Sequence, residues 1–356
     1  MKINKFVKGA LVLAMSLSLA ACGGAKEGAK EEGKKAEEGG AAKVSATMIT
    51  DEGGVNDKSF NQSSYEGLKA YEEEGKIKLD YIESHKKTDY QPNLESALDS
   101  ESDIIFTVGY ALYNDTAKAA DENPDQKYAI IDNANIDGKK NLVGITFADN
   151  ENSFLVGYIA GMTTKTNNVG FVGGMESDVI DRFEYGFRAG VKAAAREKGT
   201  DIEVQVQYAN SYSDQAAGKN IANQMYQNGA DVVMHAAGGT GIGVFEAAKE
   251  NNKYVIGVDR DQKEEAPDNI LVSTIKGVGR AVQLTLDDLI AGKFAGGETV
   301  AYHLSDGEAL GIAYGDNDLV AQEVKDKVEE LRQQIIDGKV EVPQNEEEFK
   351  SMGYED

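Results

Sequence analysis

DIIFTVG at residues 103–109, AKAADEN at 117–123 and KYAIID at 127–132 form one half of a near-repeat, whose other half is DVVMHAAGG at 231–239, FEAAKEN at 245–251 and KYVIGVD at 253–259. Each half reads as a short apolar run rich in branched residues, an amphipathic stretch with helical spacing, and a second apolar run ending in an aspartate, Asp132 or Asp259. That succession is the pattern of a strand-helix-strand unit in a parallel sheet. The likeness continues upstream at lower fidelity. MITDEGG at 48–54 parallels GFVGGME at 170–176, and each precedes a phenylalanine at a helix start, Phe60 or Phe183. Thr88-Asp89 and Ser213-Asp214 then lead into the next helix of each half.

Working outward, apolar runs predict strands at Val44–Thr50, Ile77–Ile82, Asp103–Val108, Tyr128–Asp132, Leu142–Phe147, Val169–Val172, Ile202–Tyr208, Val232–His235, Tyr254–Val258, Ile270–Thr274 and Val300–Leu304, with helices between most of them. The fold class is therefore α/β, with two Rossmann-like lobes. After Asp259 the chain supplies a strand, a helix from Gly277 to about Leu289, another strand and a last helix, enough to cross to the first lobe and return. Three hinge strands are expected near Leu142–Ala148, Leu271–Lys276 and Val300–Ser305. The expected division is residues 44–147 with 276–303 in an N-terminal lobe, and 148–275 with 304–356 in a C-terminal lobe.

A chain of 356 residues with 41% apolar content and only 4 prolines can fill two cores. Its formal charge of −24 gives a phosphate polymer little to bind, which argues against nucleic acid as a partner. Cys22 is the sole cysteine, so an intramolecular disulfide is excluded. Lys2, Lys5 and Lys8 precede an apolar run from Ala10 to Ala21, the layout of an export signal too short for an ordinary membrane span. Leu19-Ala20-Ala21-Cys22 resembles a bacterial lipobox, which implies a signal peptide over residues 1–21 and lipidation at Cys22; an ordinary signal peptide with an incidental cysteine is the alternative. Residues 23–43, with five lysines and five glutamates among Gly and Ala, contain no core-forming side chain and read as a tether. The expected location is the outer face of the cytoplasmic membrane, held by the lipid.

Ligands of open parallel sheets bind beyond the carboxyl ends of the strands, so two lobes facing each other through those ends would direct Asp51, Asp132 and Asp259 into one cleft. Phe60 and Phe183 could sandwich a flat heterocycle there, although both also fit as core residues of their helices. The carboxylates suit a sugar diol or an N–H on a base edge. AAGGTGIGVF at 236–245 has glycines in the wrong spacing for a dinucleotide loop and no Lys-Ser or Lys-Thr, so it reads as a close backbone approach to a ligand at a helix start. His85, His235 and His303 have no metal-ligand spacing, and no nucleophile elbow or Cys-His pair occurs, so neither a metal, a cofactor nor an enzymatic activity is called for.

The blocks TDEGGVNDKSFNQSSYEGL (50–68), KYAIID, SFLVGYIAG (153–161), TKTNNVGFVGGM (164–175), IDRFEYGFRAGVKA (180–193), HAAGGTGIGVFEAAKE (235–250) and YVIGVDRDQ (254–262) resemble, in order, the basic membrane protein family of substrate-binding lipoproteins, which includes purine nucleoside receptors of ABC transporters. The resemblance spans about Val44 to Gly315; VPQNEEEFKSMGYED at 342–356 departs from it. It implies a monomer of the type I periplasmic-binding-protein fold that hands a purine nucleoside such as inosine, guanosine or adenosine to an ABC permease. It implies further that Phe60 and Phe183 stack on the base, that Asp132 and Asn61 read its edge, that Asp51, Gly239 and Asp259 hold the ribose, and that Lys276 closes the sugar end. A sugar or signal-molecule receptor of the same fold, acting with a membrane sensor, is the alternative function.

Overall fold

The structure is a computed structural model, and it describes residues 44–355; the signal peptide, Cys22 and the tether lie outside the described residues. The first half of the chain runs β1 (Val44–Ile49), α1 (Phe60–Glu73), β2 (Ile77–Ile82), α2 (Tyr90–Asp99), β3 (Ile104–Val108), α3 (Tyr113–Glu122), β4 (Lys127–Ile131) and β5 (Leu142–Phe147). The second runs α4 (Asp149–Thr163), β6 (Asn168–Gly173), α5 (Asp178–Lys198), β7 (Glu203–Tyr208), α6 (Gln215–Gln227), β8 (Val232–Ala236), α7 (Gly241–Asn251), β9 (Tyr254–Gly257) and β10 (Ile270–Lys276). There follow α8 (Val278–Ile290), β11 (Thr299–Tyr302), β12 (Leu310–Tyr314), α9 (Gln322–Ile336) and α10 (Glu346–Ser351). Among the described residues no helix is long and apolar enough to cross a membrane.

The strands form two sheets of matching order, β11-β5-β4-β3-β1-β2 and β12-β10-β9-β8-β6-β7. Every pairing is parallel except that of β12 with β10. The central strands β3 and β8 are buried along their whole length, which is why IIFTV and VVMHA read as continuous runs instead of alternating ones. This is the two-lobed type I arrangement. The chain passes between the sheets three times, from β5 to α4, from β10 to α8 and from β11 to β12. All three passages leave from one side of the sheets, so β2 and β7 are the strands farthest from them.

Two helix contacts show how the crossing segments are seated. α4 is buried almost throughout and lies on α5. A Cβ on Gly157 would fall 2.1 Å from the carbonyl oxygen of Phe187, and one on Gly190 would fall 2.0 Å from that of Phe154. The glycines of SFLVGYIAG and FEYGFRAG therefore let two backbones touch, as four-residue spacing places small residues on one face of each helix. α8 returns to the first lobe in the same way: a Cβ on Gly67 of α1 would fall 2.4 Å from the Cα of Gly279, while Tyr71 donates to Asp287 at 2.9 Å.

Two features differ from expectation. β12 is an additional strand, and its residues after Leu310 are only half-buried, so LGIAY at an antiparallel edge carries neither a continuous apolar run nor clean alternation. The C-terminal stretch also has a definite seat: Asn150 donates to the carbonyl of Val342 at 2.7 Å, and the rings of Phe349 and Tyr354 stack at 5.6 Å. Arg188 covers Phe349 at 4.7 Å, and Arg196 covers Tyr354 and donates to the carbonyl of Gly353.

Because Gly190 meets backbone that has no rotamer to yield, Gly190→Val must push α4 and α5 apart. Urea unfolding should show a loss of about 2 kcal/mol or more, the cost of overpacking a tight core.

Candidate ligand-binding cleft

The cleft begins with a helix cap. α1 has no side-chain cap from Ser59; instead the carboxylate of Asp57 accepts from the backbone N–H groups of Ser59 (2.9 Å), Asn61 (2.8 Å) and Gln62 (3.1 Å). Three otherwise orphaned donors are thereby satisfied. The cap brings Phe60, the first residue of α1, to the mouth of the lobe, and places Asn61 so that its Nδ2 donates to Asp51 at 2.8 Å and to Asp57 at 3.0 Å. In the second lobe Ser177 caps α5 by accepting from Ile180 N, and Val179, Ile180 and Phe183 on the next turns face the first lobe.

These side chains line one narrow space of about 50 Å³ between the lobes, together with Asp51, Asp57, Asn61, Tyr110, Asp132, Tyr212, Gly238, Asp259 and Lys276. Phe60 and Phe183 enter it from opposite lobes, and the Nζ of Lys276 stands 5.3 Å from the centroid of each ring. The same ammonium pairs with Asp132 at 2.7 Å and with Asp149 at 3.0 Å.

Asp51, Asp132 and Asp259 all follow strand ends of the parallel sheets, and the last two share a left-handed backbone, with φ of 68° and 67°. Aspartate tolerates that conformation better than most residues, and matched outliers at equivalent places in two lobes mark strain that the surroundings impose. Asp259 also accepts from the hydroxyl of Ser59 across the cleft.

The structure thus gathers Asp51, Phe60, Asn61, Asp132, Phe183, Asp259 and Lys276 in one place. Their grouping refines that implied by resemblance. Asn61 lies with Asp51 and Asp57, to which its amide donates. Lys276 lies with Asp132, beside the rings. Gly238, with φ of 52°, lines the space, and Gly239 beside it lies between the carbonyl of Tyr212, 3.2 Å from where its Cβ would be, and Asp57 of the opposite lobe at 3.8 Å. Sequence reasoning passed over Asp57, Tyr110, Asp149 and Tyr212. Only Asp57 carried a signal, an aspartate three residues ahead of the helix.

Burial dominates the electrostatics. It pushes the carboxyls of Asp51 and Asp259 up to about 7 and that of Asp149 up to about 6. Nearby carboxylates add to the rise in all three, while Lys276 opposes it at Asp259 and Asp149. Burial alone would lower Lys276, but Asp132, Asp149 and Asp259 outweigh it and hold the ammonium above its ordinary value. Such a site repels anions and offers acceptors to N–H and O–H donors.

A family model described as ABC transporter substrate-binding protein, PnrA-like, matches residues 44–346. The chain belongs to this Bmp family. Among its relatives, ABC transporter nucleoside-binding protein BmpA of Lactococcus lactis is 43% identical over 84% of this chain and 89% of its own length. Basic membrane protein A of Borreliella burgdorferi is 41% identical over 86% of this chain and 89% of its own length. A CD4+ T-cell-stimulating antigen of Listeria monocytogenes is 41% identical over 94% of this chain and 96% of its own length. An ABC transporter solute-binding protein from Aeropyrum pernix shares the fold with a TM-score of 0.80 at 28% identity, over 87% of this chain and 96% of that one. This Bmp chain is accordingly a substrate-binding protein of an ABC transporter, a class with a ligand and a membrane permease as partners, and not an enzyme family.

The raised carboxyls of this Bmp protein set its pH dependence. Asp51, Asp149 and Asp259 hold protons more tightly folded than at the ordinary value of 3.8, so across the window from about 4 to about 7 the folded state binds more protons than the unfolded one. Stability of the ligand-free protein therefore falls as pH rises through that window. Melting at pH 5 should lie above melting at pH 8 at constant ionic strength, and the difference should shrink when a ligand donates to the carboxylates.

Proposed function

We propose that this substrate-binding protein captures nucleosides, purine nucleosides foremost, and presents them to an ABC permease. The observation that carries the reading is the pairing of Phe60 and Phe183 from opposite lobes in one space with Asp51, Asp132 and Asp259. Two rings can hold a flat base while the carboxylates accept from its N–H edge and from ribose hydroxyls. The name of the Lactococcus relative, a nucleoside-binding protein, supports it.

In this reading Asp132, steadied by Lys276, reads the base edge, and Asp51 and Asp259 take the hydroxyls. Asn61 orients Asp51, and Gly238 brings backbone to the ligand. Residues 44–147 with 276–303, and 148–275 with 304–356, move as two bodies about the three crossings. Lipidated Cys22 and the tether at 22–43 hold the monomer at the outer face of the cytoplasmic membrane, where captured ligand meets the permease.

Melting temperatures with inosine, guanosine, adenosine, cytidine and ribose test the proposal. Ligand at a hundredfold excess over Kd contributes about 2.7 kcal/mol, so a purine nucleoside should raise the melting temperature by several degrees and ribose should not. A rise with ribose alone would make the protein a sugar receptor, and no rise with any nucleoside would end the proposal. Calorimetric titration should find Phe183→Ala weakened about tenfold or more for every nucleoside through loss of one stacking contact. Asp132→Asn should instead reorder guanosine, inosine and adenosine; an equal loss for all three would remove Asp132 from base reading.

A further inference from the structure

We propose that Gln262 is the latch of the closed cleft, a positioning residue that sets how long a captured ligand is held. The inference rests on the reading of the cleft as a nucleoside site that opens and closes. Gln262 follows β9 in the second lobe and is 3% exposed. Its Oε1 accepts from Val258 N at 2.7 Å within its own lobe, which orients the amide. Its Nε2 then donates across the cleft to the carbonyl of Lys58, in the β1–α1 loop of the first lobe, at 2.9 Å.

Both ends of this bond are prepared by local structure. A Cβ on Gly257 would fall 2.8 Å from Gln262 Oε1 and 2.5 Å from Ser273 Oγ, so only glycine lets the side chain fold back onto β9. Ser273 Oγ accepts from Gln262 N at 3.2 Å. Lys58 has a φ of 59°, a left-handed turn imposed just before the Asp57-capped helix. Beside the amide, Ser59 donates to Asp259, and farther out Arg260 approaches Glu66 at 3.5 Å. The exposed Arg260 pair contributes little, whereas the buried amide bond is lost as a unit when the lobes part, leaving Lys58's carbonyl to be satisfied by water.

Gln262→Glu, measured at about pH 9 where even a buried carboxyl is ionised, isolates the cross-lobe bond: the carboxylate still accepts from Val258 N but cannot donate to Lys58. Gln262→Met removes both bonds without altering chain length. Spin labels at the exposed positions Asp80→Cys and Gln207→Cys, on the strands farthest from the crossings, in the full chain carrying Cys22→Ser, report the inter-lobe distance by pulsed electron resonance. Both latch variants should populate the longer, open distance more than the parent without ligand. With guanosine bound, dissociation timed by rapid dilution should be about fivefold faster, the equivalent of one ordinary hydrogen bond. Unchanged distance distributions in both variants, or guanosine dissociation within twofold of the parent, would overturn the latch. A parent that binds no nucleoside contradicts the proposed function alone, and the ligand-free distances still decide the latch.

Discussion

A single buried ammonium holds the cleft together. Lys276 is 1% exposed, ends β10 at one of the three crossings, and pairs with Asp132 from the first sheet and with Asp149 at the start of α4, the next crossing. Burying one charge without a partner costs several kcal/mol, so the lysine and its carboxylates must keep company or unfold the site. They tie the strand tips of one lobe to the entry helix of the other. The rings of Phe60, Phe147 and Phe183, each within about 5.3 Å of the ammonium, gather round the same point.

This arrangement leaves an excess of buried carboxylate. Lys276 serves Asp132 and Asp149, while Asp51 and Asp259 are left with neutral donors, Asn61, Gly53 and Ser59. Their raised proton affinity expresses an unmet demand for hydrogen-bond donors. A neutral solute that carries hydroxyl and ring N–H groups meets that demand, and one that carries phosphate aggravates it. Acidic surface and acidic cleft thus act in the same sense.

Much of this was legible in the sequence because the determinants are local. Continuous apolar runs fixed the central strands, and the repeated KY-to-aspartate ending identified equivalent strand tips in both lobes, at Asp132 and Asp259. The paired helix-start phenylalanines offered a sandwich for a flat ring, and resemblance assigned it a base and supplied Lys276. What stayed hidden depends on contacts distant along the chain. Tyr212 enters the cleft because its ring lies against Gly174 and its carbonyl receives Thr240 N, neither of which any periodicity reports. β12 exists because β10 offers it an edge, not because LGIAY insists on being a strand. The pairing of Asn61's amide with Asp51, ten residues back, is likewise a contact that no spacing reports.

The central claim is that two lobes share one aromatic and acidic space for a nucleoside, and a crystal structure of the protein grown with guanosine addresses it most directly. The account predicts the purine lying between Phe60 and Phe183, with its ribose hydroxyls on Asp51 and Asp259. Guanosine seated elsewhere, or a cleft that stays empty at saturating guanosine, would contradict it.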